Sequence, residues 1–339
     1  MAHVPHEVDA VVIGMGVGGE HAAERLAEEG LDVVGVEAEL VGGECPYWAC
    51  IPSKMMIRAG NLLAEARHVP GMAGDSQVAA SFAPVADRIR EEATDGWNDQ
   101  VAVDRFTGKG VHFVRGRARL AGPGRVEADG QAFSVRRAVV LATGNRPQIP
   151  PVPGLEATPY WTNRQAVSVK EPPASLLVLG GGAIGVELAQ AFSRFGTAVT
   201  IVEAMERLLP GEDPAVGALL AGVRGPRGRR LPAHPGGRTG DHRAAPAGGH
   251  RTPAAPGRAR PGERRAQPQA RALAVDGQIR AADGVWGVGD VTGQGLFTHV
   301  AMYQAEIAVR ASSAGPDRTR TTGRCPGSPS PTPKSAPSG

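Results

Sequence analysis

The chain is poor in cysteine and lacks any long apolar run. Its 339 residues include three cysteines, too few for the disulfide framework of a small extracellular scaffold. No apolar stretch approaches the roughly 20 residues that span a bilayer, which excludes a protein built on transmembrane helices. Residues 1–8 lack the basic patch and following apolar segment of a secretion signal, so the expected location is cytoplasmic. A strong charge excess is missing as well, since the formal net charge is only +3. What is present is an ordinary globular composition, 41% hydrophobic and 21% charged, over a length that suits about two domains.

Apolar, β-branched runs at 8–13, 33–36, 138–142, 176–179 and 199–202 predict strands. Helical patterns over 20–29 and 186–195 follow glycine-rich turns, and Pro52-Ser-Lys-Met-Met-Ile-Arg-Ala opens another helix with proline at an early position. Alternating strands and helices imply a parallel sheet. At 222–271 the pattern breaks: Arg, Gly, Ala and Pro dominate, aromatic residues are absent, and Asp241 and Glu263 are the only acids. Pattern returns at Val275 and includes a helix over 300–310. Residues 311–339, rich in Ser, Pro, Thr, Gly and Arg, are expected to form a disordered tail.

Directly after the first strand stands Gly14-Met-Gly16-Val-Gly-Gly19, a G-x-G-x-x-G run that opens a helix. In such a run Gly14 permits the tight turn, Gly16 lets the backbone approach a pyrophosphate, and Gly19 lets helix and strand pack closely. The helix N-terminus offers free N–H groups to phosphate oxygens. Glu37 ends the next strand, about 20 residues on, where a carboxylate accepts both hydroxyls of an adenosine ribose. The unit recurs as Gly180-Gly-Gly182-Ala-Ile-Gly185, with Glu203 at the same offset. One copy alone is equally a tight strand-to-helix turn. Two copies in full context predict two dinucleotide sites and two cofactors that exchange electrons. An acid at Glu203 disfavours a 2'-phosphate, which points to NAD(H) rather than NADP(H).

After Glu37 comes Gly42-Gly-Glu-Cys45-Pro-Tyr-Trp-Ala-Cys50-Ile-Pro-Ser-Lys54. Two thiols where a helix begins are poised for thiolate chemistry, because the helix dipole and its free N–H groups favour the anion and lower the thiol pKa. Metal binding is the second reading. Zinc takes three or four ligands, and no other His or Cys cluster supplies them, so no metal site is expected.

These residues together resemble the pyridine nucleotide-disulfide oxidoreductases, flavoproteins that include dihydrolipoamide dehydrogenase, glutathione reductase and mercuric reductase. The resemblance is carried by the first fingerprint, the Gly-Gly-x-Cys-x4-Cys-x-Pro-Ser-Lys box, Ala142-Thr-Gly-Asn-Arg-Pro147, the second fingerprint with Glu187, and Val288-Gly-Asp290-Val-Thr, in that order. It covers roughly residues 4–220 and 275–310. It implies an α/β fold of two Rossmann-like domains. Residues 1–150 with 275–310 would bind FAD, and 151–274 would bind NAD(P), preferring NAD as dihydrolipoamide dehydrogenase does. By this resemblance Gly14, Gly16, Gly19, Glu37, Thr143, Gly144 and Asp290 contact FAD, and Gly180, Gly182, Gly185 and Glu203 hold the nicotinamide dinucleotide. Cys50 is then the thiol nearest the flavin, and Cys45 is the thiol that attacks a small-molecule or protein disulfide. Lys54 pairs with Glu187 beside the flavin; without the resemblance both read as surface charges on helices.

The sequence departs from the family at its end. Members carry a C-terminal interface domain that forms the homodimer and contributes a His-Pro pair acting as acid-base; neither is expected here, and His234-Pro235 lies inside the Arg/Gly/Pro/Ala tract. Residues 222–271 and 311–339 are read as frame-shifted segments, the first disrupting the nucleotide domain. A basic nucleic-acid arm is disfavoured, because no aromatic residues interleave the arginines. The resulting expectation is an NAD(P)H:disulfide oxidoreductase; the alternatives are a flavoprotein limited to diaphorase activity and an inactive remnant.

Overall fold

The computed structural model describes residues 5–222 and 272–313. Strand β1 (His6–Ile13) leads through helix α1 (Val17–Glu28) to β2 (Val33–Glu37), and α2 (Glu44–Tyr47) and α3 (Cys50–His68) follow. Next come α4 (Ala83–Arg88), which continues into a π-turn, α5 (Gln100–Thr107), β3 (His112–Arg115), β4 (Ala118–Gly122), β5 (Arg125–Ala128) and β6 (Gln131–Leu141). A second unit contains α6 (Asn163–Ser168), β7 (Ser175–Leu179), α7 (Ala183–Arg194), β8 (Ala198–Val202) and α8 (Pro214–Gly222). The chain then returns with β9 (Arg280–Ala282), β10 (Val285–Gly287) and α9 (Thr298–Ser313).

The main sheet runs β3-β2-β1-β6-β10-β9, with β5 and β4 attached to β6. Strands β3, β2, β1, β6 and β10 are parallel, with registers such as Val12 opposite Gly35 and Val140, and Trp286 opposite Val140. Both faces of the central strands are covered, which is why 8–13 reads as an unbroken apolar run. Ala10, Val12, Ala138 and Val140 join Ala22, Leu26, Phe106, Ala305 and Val309 beneath α1, α5 and α9. Val11, Ile13 and Val139 face the other way, onto Val126, Ala128 and Phe133 of β5 and β6. The second unit is a smaller, two-stranded parallel sheet of β7 and β8, joined to the first through Met56 of α3 packed with Leu188, Ala191 and Phe192 of α7.

The expected parallel sheet is found, and antiparallel pairs are added to it: β9 with β10, β4 with β5, and β5 with β6 in a hairpin across Asp129-Gly130. Both turn residues have positive φ, 47° and 74°, as the two-residue hairpin turn requires. Helix α9 also continues past residue 310 to Ser313, since Ala311 packs on the core and the buried Ser312 donates to the Val309 carbonyl. The frame-shifted reading of 222–271 and the tail beyond 313 fall outside the described residues, apart from Gly222 at the end of α8.

Candidate active site

The two glycine-rich turns share one pattern of backbone conformation and hydrogen bonds. Gly14 and Gly180 end their strands at φ +92° and +107°, and their N–H groups donate to Val36 and Val202 carbonyls, both at 2.8 Å. A Cβ on Gly19 would overlap the Gly14 carbonyl oxygen, and one on Gly185 would overlap that of Gly180. The acid at the end of the second strand closes each turn. Glu37 accepts from the Met15 and Glu39 N–H groups, both at 2.7 Å. Glu203 accepts from Gly181 at 2.6 Å and Met205 at 2.8 Å. Each carboxylate therefore fixes its own loop and still has lone pairs for a further donor.

A cavity of about 760 Å³ opens beside the first turn, within the size range of ligand sites. Gly14, Gly16, Gly19, Glu37, Cys45, Cys50, Thr143, Gly144 and Asp290 all line it. These nine are drawn from four separated stretches of sequence that the parallel sheet brings to the carboxyl ends of β1, β2, β6 and β10. Lys54 and Glu187 do not line it. Both are exposed, on α3 and α7, and no ion pair joins them among the described residues.

Cys45 and Cys50 are half-buried free thiols. Cys50 opens the 19-residue α3, whereas Cys45 sits in the four-residue α2. The expected depression of a thiol pKa does not hold for Cys45: burial pushes it up, and a hydrogen bond with Cys50 adds to the rise. Thr298 and Lys54 oppose that rise. A long helix dipole is aligned with Cys50, while α2 is too short to offset the burial of Cys45.

The segment between the cysteines is held from outside. Asn163 Nδ2 donates to the Trp48 carbonyl at 2.9 Å and to Glu44 at 3.2 Å. Arg164 donates to Glu44 at 2.8 Å and to Glu39 at 2.6 Å, with its guanidinium 5.4 Å from the Trp48 ring centroid. Trp97 stacks on Trp48 at 5.5 Å. Sequence reasoning missed three contributors. Thr298 touches both sulfurs. Arg164 was marked by no motif, although Thr162-Asn-Arg-Gln165 is a legible capping box. Gln304, 4% exposed, accepts from Gly289 N–H at 2.7 Å and donates to the Gln294 carbonyl at 3.2 Å, holding the turn that carries Asp290.

The structure is an α/β fold with two glycine-rich strand-to-helix turns, the first of which shares a cavity with two thiols. Residues 8–225 match the pyridine nucleotide-disulphide oxidoreductase family. A dihydrolipoyl dehydrogenase of Chlorobaculum tepidum is 32% identical over 336 residues, covering 90% of this chain and 70% of the relative. That of Halobacterium salinarum is 36% identical over 225 residues, covering 61% of this chain and 45% of the relative. The chain thus spans about half the length of several curated relatives it matches. The solved copper(II) complex of the HOCl-induced flavoprotein disulfide reductase RclA from Escherichia coli shares the fold. Its TM-score is 0.74 at 23% identity, covering 92% of this chain and 72% of that one. The chain belongs to the pyridine nucleotide-disulphide oxidoreductase family.

Flavoproteins of this family use FAD, and the residues present fit such a group. Gly16 lines the cavity, and a Cβ added there meets nothing nearer than Gly43 Cα at 3.9 Å. The missing side chain therefore leaves room on the cavity wall. Helix α1 has no side-chain cap, which leaves first-turn N–H groups for phosphate oxygens.

Proposed function

We propose that this chain is an FAD-dependent NAD(P)H:disulfide oxidoreductase of the dihydrolipoamide dehydrogenase kind, with Cys45 and Cys50 as its exchanging pair. The observation that carries the reading is a single cavity lined by both the first fingerprint and both sulfurs. In this reading residues 1–150 with 275–310 form the flavin unit and 151–274 the nicotinamide unit, in the cytoplasm. Gly14, Gly16 and Gly19 hold a pyrophosphate on α1, and Glu37 takes the ribose hydroxyls with its remaining lone pairs. Thr143, Gly144 and Asp290 line the rest of the flavin site. Gly180, Gly182, Gly185 and Glu203 hold the nicotinamide dinucleotide, and the acid favours NAD(H). Lys54 and Glu187 are assigned beside the flavin by resemblance.

Bound FAD supplies a two-electron relay between the nicotinamide and the thiol pair. The protein's own thiols do the exchange. Cys45 thiolate attacks one sulfur of a disulfide substrate and expels the other as a thiolate, which takes up a proton. Cys50 then attacks the Cys45 sulfur of the mixed disulfide, releases the second substrate thiolate and leaves Cys45 bonded to Cys50.

Changing either cysteine to serine is expected to lower NADH-driven lipoamide reduction by roughly 10³-fold or more, while NADH-to-dye transfer persists. Disulfide reduction indifferent to both cysteines would overturn their role. The burial that pushes the Cys45 thiol up favours one second reading, a flavoprotein limited to dye reduction; it predicts no disulfide turnover in the parent chain either. Purified protein without visible flavin absorption would overturn the cofactor assignment.

A further inference from the structure

Helix α3 begins at Cys50 and the 16-residue α9 begins at Thr298, so two helix N-termini converge on the sulfur pair. Thr298 Oγ1 donates to Cys45 Sγ at 3.5 Å and lies 4.0 Å from Cys50 Sγ. It reaches the pair from more than two hundred residues along the chain because α9 packs beside α1, with Ala305, Ala308 and Val309 in the core under the sheet. Among the described groups, a hydroxyl hydrogen bonded to a sulfur is found only here.

We propose that Thr298 is a positioning residue for the thiol pair, its hydroxyl stabilising the Cys45 thiolate and keeping the two sulfurs in register for exchange. The proposal rests on the dithiol reading of Cys45 and Cys50. A hydroxyl has one hydrogen to donate, and donation to an anionic sulfur is stronger than to a neutral one, so the contact favours the ionised form. Burial and Cys50 hold the Cys45 thiol above its ordinary value, and Thr298 is the first of the groups that pull it back. Lys54 lies on α3, Glu44 precedes Cys45 and is paired with Arg164 of α6, and Glu37, Glu39, Arg117, Arg146 and Asp290 line the same cavity. His299, next to Thr298, is exposed and stacked on Phe297.

The test is alkylation of the reduced full chain by iodoacetamide across pH, with each site quantified by peptide mass. Thr298→Val is expected to slow Cys45 alkylation at neutral pH by about three- to tenfold, the upper figure corresponding to one unit of pKa, and to move the profile to higher pH. Thr298→Ser, which keeps the hydroxyl, restores it. Thr298→Ala deletes the same hydroxyl without the β-branch and replaces the valine variant if circular dichroism shows that variant misfolded. A profile unchanged by loss of the hydroxyl overturns the proposal. Failure of the parent Cys45 and Cys50 to close into a disulfide under mild oxidation would instead overturn the dithiol reading on which it rests.

Discussion

Glu37 closes its glycine loop on Met15 at 2.7 Å, and Glu203 closes its own on Gly181 at 2.6 Å, yet the two units live in different surroundings. The first sits in a sheet covered on both faces, where Ala10, Val11, Val12 and Leu26 are all but inaccessible. Among the described residues, the second has β7 and β8 beneath α7, with Ile184, Val202, Met205 and Leu219 exposed. The turn itself, with its glycine spacing and acid, is thus encoded within about 25 residues and takes the same form in both surroundings. Burial is supplied from elsewhere in the chain. In the first unit it comes from β6, β10 and α9, more than a hundred residues from β1 in sequence.

The largest expected effect tests that difference directly. Alanine at Gly19 or Gly185 places a Cβ against a carbonyl oxygen of its own turn, so strand and helix must part. In the first unit α1 is also fixed by α9 and α5 and cannot yield; Gly19→Ala is expected to cost about 3 kcal/mol of stability. Among the described residues helix α7 rests on two strands, and Gly185→Ala is expected to cost about 1 kcal/mol. Urea unfolding of each variant beside the parent measures both. Equal losses would show that the surroundings of the two turns do not matter.

The same contrast separates what was legible in the sequence from what was not. The strands at 8–13, 33–36, 176–179 and 199–202 and both glycine turns are found where the pattern puts them, because they depend on near neighbours. The return of the chain as β10 was signalled only by resumed pattern at Val275, and its place beside β6 depends on a pairing across 146 positions, Val139 with Val285. The β5–β6 hairpin carries an Asp129-Gly130 turn signal, which lies outside the strand–helix alternation that predicts the parallel part of the sheet. Within the cavity the glycines, acids and cysteines have fixed spacings and were readable. Thr298 and Arg164 act across the fold, and Gln304 acts back on the turn before its helix, at separations no local period records.

A smaller, more selective effect follows from the two acids. Glutamine at 37 or 203 keeps one oxygen acceptor and loses the charge, so one backbone N–H in each turn loses its carboxylate partner. Each change is expected to cost about 1.5 kcal/mol locally, close to tenfold in an affinity. The readouts differ if the proposed assignments hold. Glu37→Gln should release flavin on dialysis and leave the KM for NADH unchanged, whereas Glu203→Gln should raise that KM and leave flavin in place. Loss of both properties in either variant would break the separation of the two units.

The smallest expected effect probes the latch between α1 and α9 in the first unit. His21 Nε2 on α1 lies 2.7 Å from Glu306 Oε1 on α9, and Arg25 lies 3.3 Å from the same oxygen. The hydrogen bond with His21, aided by Arg25, holds the Glu306 carboxyl below its ordinary value. Beneath the sheet end, Asp9 is lowered in the same direction, first by the Asp32 backbone N–H and then by Arg136. A carboxylate lowered on folding contributes stability above its unfolded value and loses it as pH falls through the folded one. Glu20 has the opposite sign: burial raises its pKa against the pull of Arg105, so its contribution is greatest in acid and declines as pH rises through the folded value. Acidification should therefore loosen α1 from α9 while relieving Glu20 at the other side of the same helix. Because Glu306 is part-exposed, Glu306→Gln should flatten the fall in Tm below the ordinary carboxylate range by only about 2 °C. Melting curves of parent and variant at neutral and acid pH decide it, and parallel curves would show that the latch carries no charge-dependent share of the first unit's stability.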